Sequence, residues 1–257
     1  MAKRTSDLFG SASGIAQAHG KVTRFNMGTY LERKQKLRET FKPREEWWSR
    51  VFATPLAHGI LHVVADFKVL TPNRLTTLSF SLTLLTSLLI VSGMSSALLS
   101  AAILLQIAYV FDCMDGQLAR YREVSSEWGS FLDKWSDYVK FPTVVLALIV
   151  EAYSRNASFT VIVMGFLSVF FIGYLPYLKG LSQQELSIGP WAVLSGKNFV
   201  ERNLRFFLFE EAQLYLIVTI CLLFQSSYWA LVIICATQGI MAFVQTARVF
   251  LLRRHSR

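Results

Sequence analysis

The sequence of 257 residues has only three cysteines, and their positions argue against disulfide-rich and zinc-binding classes of protein. Cys113, Cys221 and Cys235 lie in apolar segments without metal-ligand spacing, so we interpret them as small core residues. No apolar run follows Met1 closely enough for a cleavable signal peptide, and none is expected.

Acidic residues are in the minority, with 17 Asp and Glu against 26 Lys and Arg, which gives a net charge of +9. No nucleic-acid-binding motif accompanies this charge, so we expect no nucleic-acid partner. The basic residues cluster at the two ends and in the loops between apolar runs. That distribution is typical of a protein beside an anionic membrane leaflet, with membrane lipids as partners.

Hydrophobic residues make up 53% of the chain and gather into separate runs. Each run is near the ~20 residues that cross the hydrocarbon of a bilayer. We place six spans at 76–93, 96–120, 128–152, 157–178, 208–225 and 228–250. The predicted fold class is an all-α integral membrane protein with six transmembrane helices, preceded by an amphipathic juxtamembrane helix. Glu210 and Glu211 interrupt the start of the fifth span.

The domain organisation has three parts: a basic, partly disordered N-terminal arm (1–46), the juxtamembrane helix (47–70) and the membrane domain (71–257). A short surface helix is predicted near Tyr30–Thr40. Within the juxtamembrane helix, His58, His62 and Asp66 recur every four residues, a spacing that could hold a transition metal. We favour the polar face of a helix lying in the membrane surface.

The loops predict the orientation, because basic residues concentrate on the cytoplasmic side of a membrane. Arg155 is the only basic residue in the three short turns of one side. Both termini and the acidic motif described next are therefore predicted to face the cytoplasm, in a cell inner membrane. The long linker 179–207 either covers the site like a lid or is an ordinary surface connection.

Four aspartates lie where the second and third spans meet: Asp112, Asp115, Asp133 and Asp137. Helical spacing puts the first two on one face of one helix and the last two on one face of the next. A short link between the helices would oppose these faces and form a cage of four carboxylates. Placing one aspartate inside a membrane helix costs about 2.5–3.5 kcal/mol of insertion free energy, and the four like charges also repel one another. Divalent ions would neutralise the cage, and all-oxygen ligands favour Mg²⁺ or Mn²⁺ over zinc.

Small residues share these faces, namely Gly116, Ala119 and Gly129, and would let a ligand approach the backbone. With Arg120 they complete the order Asp-x2-Asp-Gly-x2-Ala-Arg-x8-Gly-x3-Asp-x3-Asp. This order resembles the signature of the CDP-alcohol phosphotransferases, integral-membrane enzymes of phospholipid synthesis, at all eight fixed positions. The entry to the first span, with Asn73 and Thr76, also resembles the family, where that end borders the nucleotide site.

The resemblance implies transfer of a substituted phosphate from a CDP-linked donor such as CDP-diacylglycerol to an acceptor hydroxyl, with release of CMP. It implies two divalent cations held by Asp112, Asp115, Asp133 and Asp137, with Asp137 also the catalytic base. The implied nucleotide-binding residues are Asn73, Thr76, Asp112, Gly116, Ala119, Arg120 and Gly129. Anchoring of the helix end to lipid headgroups is the alternative for Arg120, and it is the ordinary role of an arginine at this position. The family also implies a homodimer, with spans three and four as candidate interfaces.

The sequence leaves several chemical classes of acceptor alcohol possible. Lys179, Arg202, Arg205 and Arg248 could bind an anionic acceptor such as inositol phosphate or glycerol phosphate, although topology alone explains the same charges. A neutral polyol or serine is an alternative acceptor. The same chemistry could also join a soluble CDP-alcohol to diacylglycerol.

Two other classes of protein would use the motif differently. A cation transporter would need polar residues along several spans, and spans four to six are almost purely apolar away from the cytoplasmic end. A non-catalytic, lipid-binding relative would be expected to lack a signature aspartate, and all four are present.

Overall fold

The structure, a computed structural model, describes residues 27–41, 45–124, 126–186 and 211–255. Within these ranges the chain is helical and contains no strand. The helices, numbered in chain order, are α1 (Met27–Glu39), α2 (Thr54–Val64), α3 (Pro72–Val91), α4 (Ser95–Arg122), α5 (Glu127–Arg155), α6 (Phe159–Leu186), α7 (Glu211–Leu223) and α8 (Ser227–His255). A π-helical turn, Ser49–Ala53, leads into α2.

Four of the described helices are long and apolar enough to cross a membrane: α3, α4, α6 and residues 227–252 of α8. The third and fifth predicted spans fall on α5, whose first half carries several charges, and on α7, which is apolar but has 13 residues. The all-helical fold class is confirmed for the described residues. The count of six spans and the placement of α2 at the membrane surface stay predictions.

The helix ends at the acidic motif follow from local sequence. The Thr71 side chain caps α3 by accepting a 3.4 Å hydrogen bond from the backbone N–H of Arg74. Nearby, Glu123 ends α4 in the left-handed conformation with φ 57°. The Ser126 side chain then caps α5 through a 3.0 Å hydrogen bond from the N–H of Gly129. Only residues 123–126 separate the two helices along the chain.

The helices pack around one main core whose wholly buried members include Leu75, Leu105, Leu148 and Leu231. Helix α3 packs against α4 and α5, α4 also contacts α7, and α8 packs against α5, α6 and α7. Helix α6 approaches α5 closely at Gly165, where a Cβ would lie 2.2 Å from the Ile149 side chain. That glycine therefore sets the spacing of two helices that flank the acidic motif.

Helix α1 coincides with the surface helix predicted near Tyr30–Thr40, and it contacts α2 through Arg33. The Arg33 guanidinium donates a 2.9 Å hydrogen bond to the His62 carbonyl and forms an ion pair with Asp66. The Tyr121 hydroxyl donates a 3.0 Å hydrogen bond to the same carboxylate. Burial and the neighbouring His62 lower the pKa of His58. Among the described residues these side chains form no metal-binding group, so the transition-metal alternative gains no support.

Candidate active site

Three of the four signature aspartates meet where α4 and α5 face each other. Carboxylate oxygens of Asp112, Asp133 and Asp137 all lie within 4.8 Å of one another. The helical periodicity explains this meeting, since Asp133 and Asp137 are one turn apart on the face of α5 that is opposed to Asp112. The predicted cage of four carboxylates is thus a cluster of three, which we call the aspartate trio.

The fourth aspartate, Asp115, is held by another helix. It is buried, with 7% of its surface exposed, and its Oδ2 accepts a 2.5 Å hydrogen bond from the Thr76 hydroxyl of α3. One turn along α3, the Ser79 hydroxyl donates to Asp112 Oδ1 at 3.3 Å. Thr76, which was expected to bind nucleotide, therefore contacts a carboxylate. Ser79 was not predicted as a site residue. It follows Thr76 by three residues on the same face of α3, and this spacing is the signal that could have identified it.

A lysine that sequence reasoning missed completes the cluster. Lys140 is wholly buried, and its Nζ lies 2.5 Å from Asp112 Oδ1 and 2.8 Å from Asp137 Oδ1. It follows Asp137 by three residues, which puts both side chains on one face of α5. A lysine inside an apolar run, in phase with a signature aspartate, is the sequence signal for this ion pair.

A cavity of about 490 Å³ opens in front of the aspartates. Seven of the predicted site residues line it: Asp112, Asp115, Gly116, Arg120, Asp133, Asp137 and Lys179. Its wall also includes polar residues that were not predicted, among them Glu45, Glu46, Gln117, Glu211, Gln238 and Gln245. The Glu46 carboxylate accepts a 2.6 Å hydrogen bond from the N–H of Ala212, so the segment before α2 reaches the start of α7. The cavity therefore combines carboxylates, amides and a few basic groups.

Gly116 and Arg120 of the motif line the cavity, whereas Gly129 lies beside Asn73. A Cβ on Gly116 would lie 3.2 Å from an Nη atom of Arg120, so the guanidinium occupies the space above that glycine. Arg120 also donates a 2.6 Å hydrogen bond from Nε to the Thr40 carbonyl, which ties α4 to the residues after α1. A Cβ on Gly129 would lie 3.2 Å from Asn73 Oδ1. Asn73 and Gly129 are therefore neighbours, and their role in nucleotide binding stays a prediction.

The remaining predicted residues have different positions. Asn73, Thr76, Ala119 and Gly129 are not among the residues lining the cavity. Arg248 is half-buried on α8, one turn beyond the cavity residue Gln245. The predicted acceptor residues Arg202 and Arg205, with most of linker 179–207, lie outside the described residues, whereas 179–186 belong to α6.

The model of the CDP-alcohol phosphatidyltransferase family matches residues 69–192, about half of the chain. This range contains α3 to α6 and every residue of the acidic motif. The chain belongs to the CDP-alcohol phosphatidyltransferase family. Membership makes it a transferase of phospholipid synthesis. A comparison with curated proteins gives no match.

A solved structure has a similar fold. It is the crystal structure of the phosphatidylinositol phosphate synthase of Mycobacterium tuberculosis, determined with CDP-DAG bound. The two structures align with a TM-score of 0.51 and 20% sequence identity, over 80% of this chain and 92% of the other. At this identity the likeness concerns the fold. The four helices that are long and apolar enough to cross a membrane, in a chain of this family, indicate an integral membrane protein.

Proposed function

We propose that this protein transfers a phosphatidyl group from a CDP-linked lipid donor, such as CDP-DAG, to a hydroxyl of a polar alcohol and releases CMP. The observation that carries the proposal is the aspartate trio, which lines a cavity of about 490 Å³ together with Asp115 and Gly116. Family membership supports the reaction class. The similar fold of a synthase determined with CDP-DAG bound supports the donor.

The donor set fits a hard divalent cation. Asp112, Asp133 and Asp137 offer oxygen ligands within 4.8 Å of one another, and oxygen-only sites suit Mg²⁺ or Mn²⁺. We assign these three residues to two such cations, with Asp115 contributing from the same cavity wall. Cations bound there would offset the charge of a diphosphate and stabilise the departing phosphate.

Residues of the chain would orient the substrates and accept the proton. Arg120 lines the cavity with its guanidinium over Gly116, which has no side chain, so the guanidinium can bind a phosphate of the donor. The acceptor oxygen attacks the β-phosphorus, and the bond from that phosphorus to CMP breaks, with the electron pair leaving on CMP. Asp137, which lines the cavity, takes the proton of the acceptor hydroxyl as general base. Asn73 and Gly129 support the nucleotide side of the site.

The acceptor would enter on the side of α6 and α8. Lys179 lines the cavity there, and Gln238 and Gln245 add amide groups that can bond hydroxyls. This wall supports a polar acceptor such as inositol phosphate, glycerol phosphate or another alcohol. Arg202, Arg205 and Arg248 stay candidates for its phosphate. We further propose that the site faces the cytoplasm and that the protein is a homodimer, from the charge of the loops and from the family.

The test is to supply purified protein with pairs of substrates and to measure CMP. CDP-DAG is offered with inositol phosphate, glycerol phosphate, inositol or serine, and in parallel CDP-choline or CDP-ethanolamine is offered with diacylglycerol. We expect CMP from CDP-DAG with one polar acceptor, in the presence of Mg²⁺ or Mn²⁺. Release of CMP only from the second set would reverse the roles of lipid and alcohol. No CMP from any pair would overturn the proposal.

A further inference from the structure

Lys140 lies behind the aspartate trio, on the side away from the cavity. Its side chain is wholly buried, and it does not line the 490 Å³ cavity. Its surroundings are instead a small, mostly apolar space bordered by residues such as Thr83, Val144 and Tyr215. The ammonium emerges from this space only to contact Asp112 and Asp137, at 2.5 and 2.8 Å. Lys140 therefore acts on the site through those two carboxylates.

The position of this charge is unusual in physical terms. A lysine is seldom fully buried, because an ammonium loses its hydration and needs charged partners to compensate. Here the partners are two members of a cluster that would also bind divalent cations. An ammonium and a divalent cation that share the same carboxylates repel each other strongly, since the surroundings are less polar than water. Lys140 and the metal ions thus compete for one set of negative charges.

We propose that Lys140 is a resident counter-cation that keeps metal affinity low until the anionic donor arrives. Its ammonium holds Asp112 and Asp137 together without a metal and opposes loading of divalent cations. The diphosphate of a CDP-linked donor brings negative charge that offsets this repulsion, so metal and donor bind together. Lys140 is a positioning residue in this scheme. The inference rests on the proposed function, because it requires that the aspartate trio bind metal.

The first test is a titration of the purified full-length protein with Mn²⁺ alone, followed by electron paramagnetic resonance. Lys140→Gln removes the charge and keeps a hydrogen-bond donor for Asp112. We expect this variant to bind Mn²⁺ about tenfold more tightly than wild type, or tighter still. Lys134→Gln is the matched control, because Lys134 is an exposed lysine of the same helix whose charge is screened by solvent. Its affinity should stay within about twofold of wild type.

The second test measures the coupling between metal and nucleotide with CDP as the probe. CDP should tighten Mn²⁺ binding in wild type by a larger factor than in Lys140→Gln, because the variant has lost the charge that CDP offsets. Lys140→Arg keeps the charge, so its Mn²⁺ affinity and its coupling should stay close to those of wild type. This variant also keeps the proposal falsifiable if Lys140→Gln does not fold, since tenfold tighter Mn²⁺ binding by Lys140→Arg would contradict it.

The outcomes separate this inference from the proposed function. If wild type binds Mn²⁺ and Lys140→Gln binds it equally or more weakly, Lys140 has a merely structural role and the inference fails alone. If neither protein binds Mn²⁺, with or without CDP, the metal site of the proposed function fails together with it. Tighter binding by Lys140→Gln, with weaker coupling to CDP, supports both.

Discussion

The Thr76 hydroxyl donates a 2.5 Å hydrogen bond to Oδ2 of Asp115, and both residues are buried. Thr76 lies near the start of α3, whereas Asp115 lies in the last third of α4. The bond turns one signature carboxylate toward α3, and the other three meet across α4 and α5. The acidic motif therefore depends on a third helix that its own spacing does not include.

Removing the Thr76 hydroxyl should lower both the stability of the protein and its activity. Thr76→Val keeps the shape of the side chain and deprives a buried carboxylate of a donor, at about 1–3 kcal/mol of unfolding free energy. We expect a lower Tm in detergent. Release of CMP should also fall, by about tenfold for each 1.4 kcal/mol of transition-state stabilisation that is lost when Asp115 is no longer held in place. Thr77→Val is the control, because the exposed Thr77 hydroxyl bonds only the Asn73 carbonyl. Equal effects in both variants would contradict a special role for Thr76.

Helical periodicity accounts for much of the site. The spacing puts Asp112 and Asp115 on one face of α4 and Asp133 and Asp137 on one face of α5, and the short link keeps these faces close along the chain. The cap at Thr71 was also predictable, since a threonine before a proline is a strong helix start. These features depend on residues close in sequence, where backbone geometry alone decides the arrangement.

Other features depend on which distant helices pack together, and spacing within one helix does not contain that information. Glu211 looked like an interruption of the fifth span, yet it lines the cavity because α7 packs against α4. Ser79 contacts Asp112 because α3 packs beside α4. Lys140 was missed for a related reason: a lysine in an apolar run contradicts the hydrophobic pattern until its two carboxylate partners are known.

Asp137 is the residue whose loss should be most damaging to the reaction. Asp137→Asn keeps the size of the side chain and removes both a metal ligand and the proposed base, so CMP release should fall about 100-fold or more. The protein should still be recovered folded from the membrane, as judged by gel filtration and Tm. Glu127→Gln, an exposed acid in the first turn of the same helix, is the control and should keep its activity. Near-normal turnover by Asp137→Asn would remove the proposed roles of Asp137.

Divalent cations should be required for activity. Treatment with a chelator is expected to stop CMP release, because the aspartate trio then lacks the cations that offset the charge of the donor. Adding Mg²⁺ or Mn²⁺ in excess should restore it, since the ligands are all oxygen atoms. Ca²⁺ and Zn²⁺ are tested at matched free concentrations. Because all these ions carry the same charge, a difference in restored activity reports which ligands each ion prefers. Restoration by Zn²⁺ alone would show that the argument from hard oxygen ligands is wrong.

The fold should also depend on a second arginine at the end of α4. The Arg122 guanidinium donates hydrogen bonds of 2.6–3.0 Å to the carbonyls of Ala65, Phe67 and Leu70, in the segment between α2 and α3. A lysine has one ammonium and cannot reach three carbonyls in the same geometry. Arg122→Lys should therefore lower the unfolding free energy by about 1–3 kcal/mol, seen as a lower Tm in detergent.

The matched control for Arg122→Lys is Arg74→Lys. Arg74 is exposed and donates one 2.6 Å hydrogen bond from its guanidinium to the Val69 carbonyl, so the same substitution should change Tm little. Both variants keep the positive charge, and the charge of the loops that orients the protein in the membrane is therefore unchanged. A difference in Tm between them then measures the hydrogen bonds of Arg122 rather than topology. If the two substitutions lower Tm equally, Arg122 does not stabilise the junction between α2, α3 and α4 more than an ordinary surface arginine would.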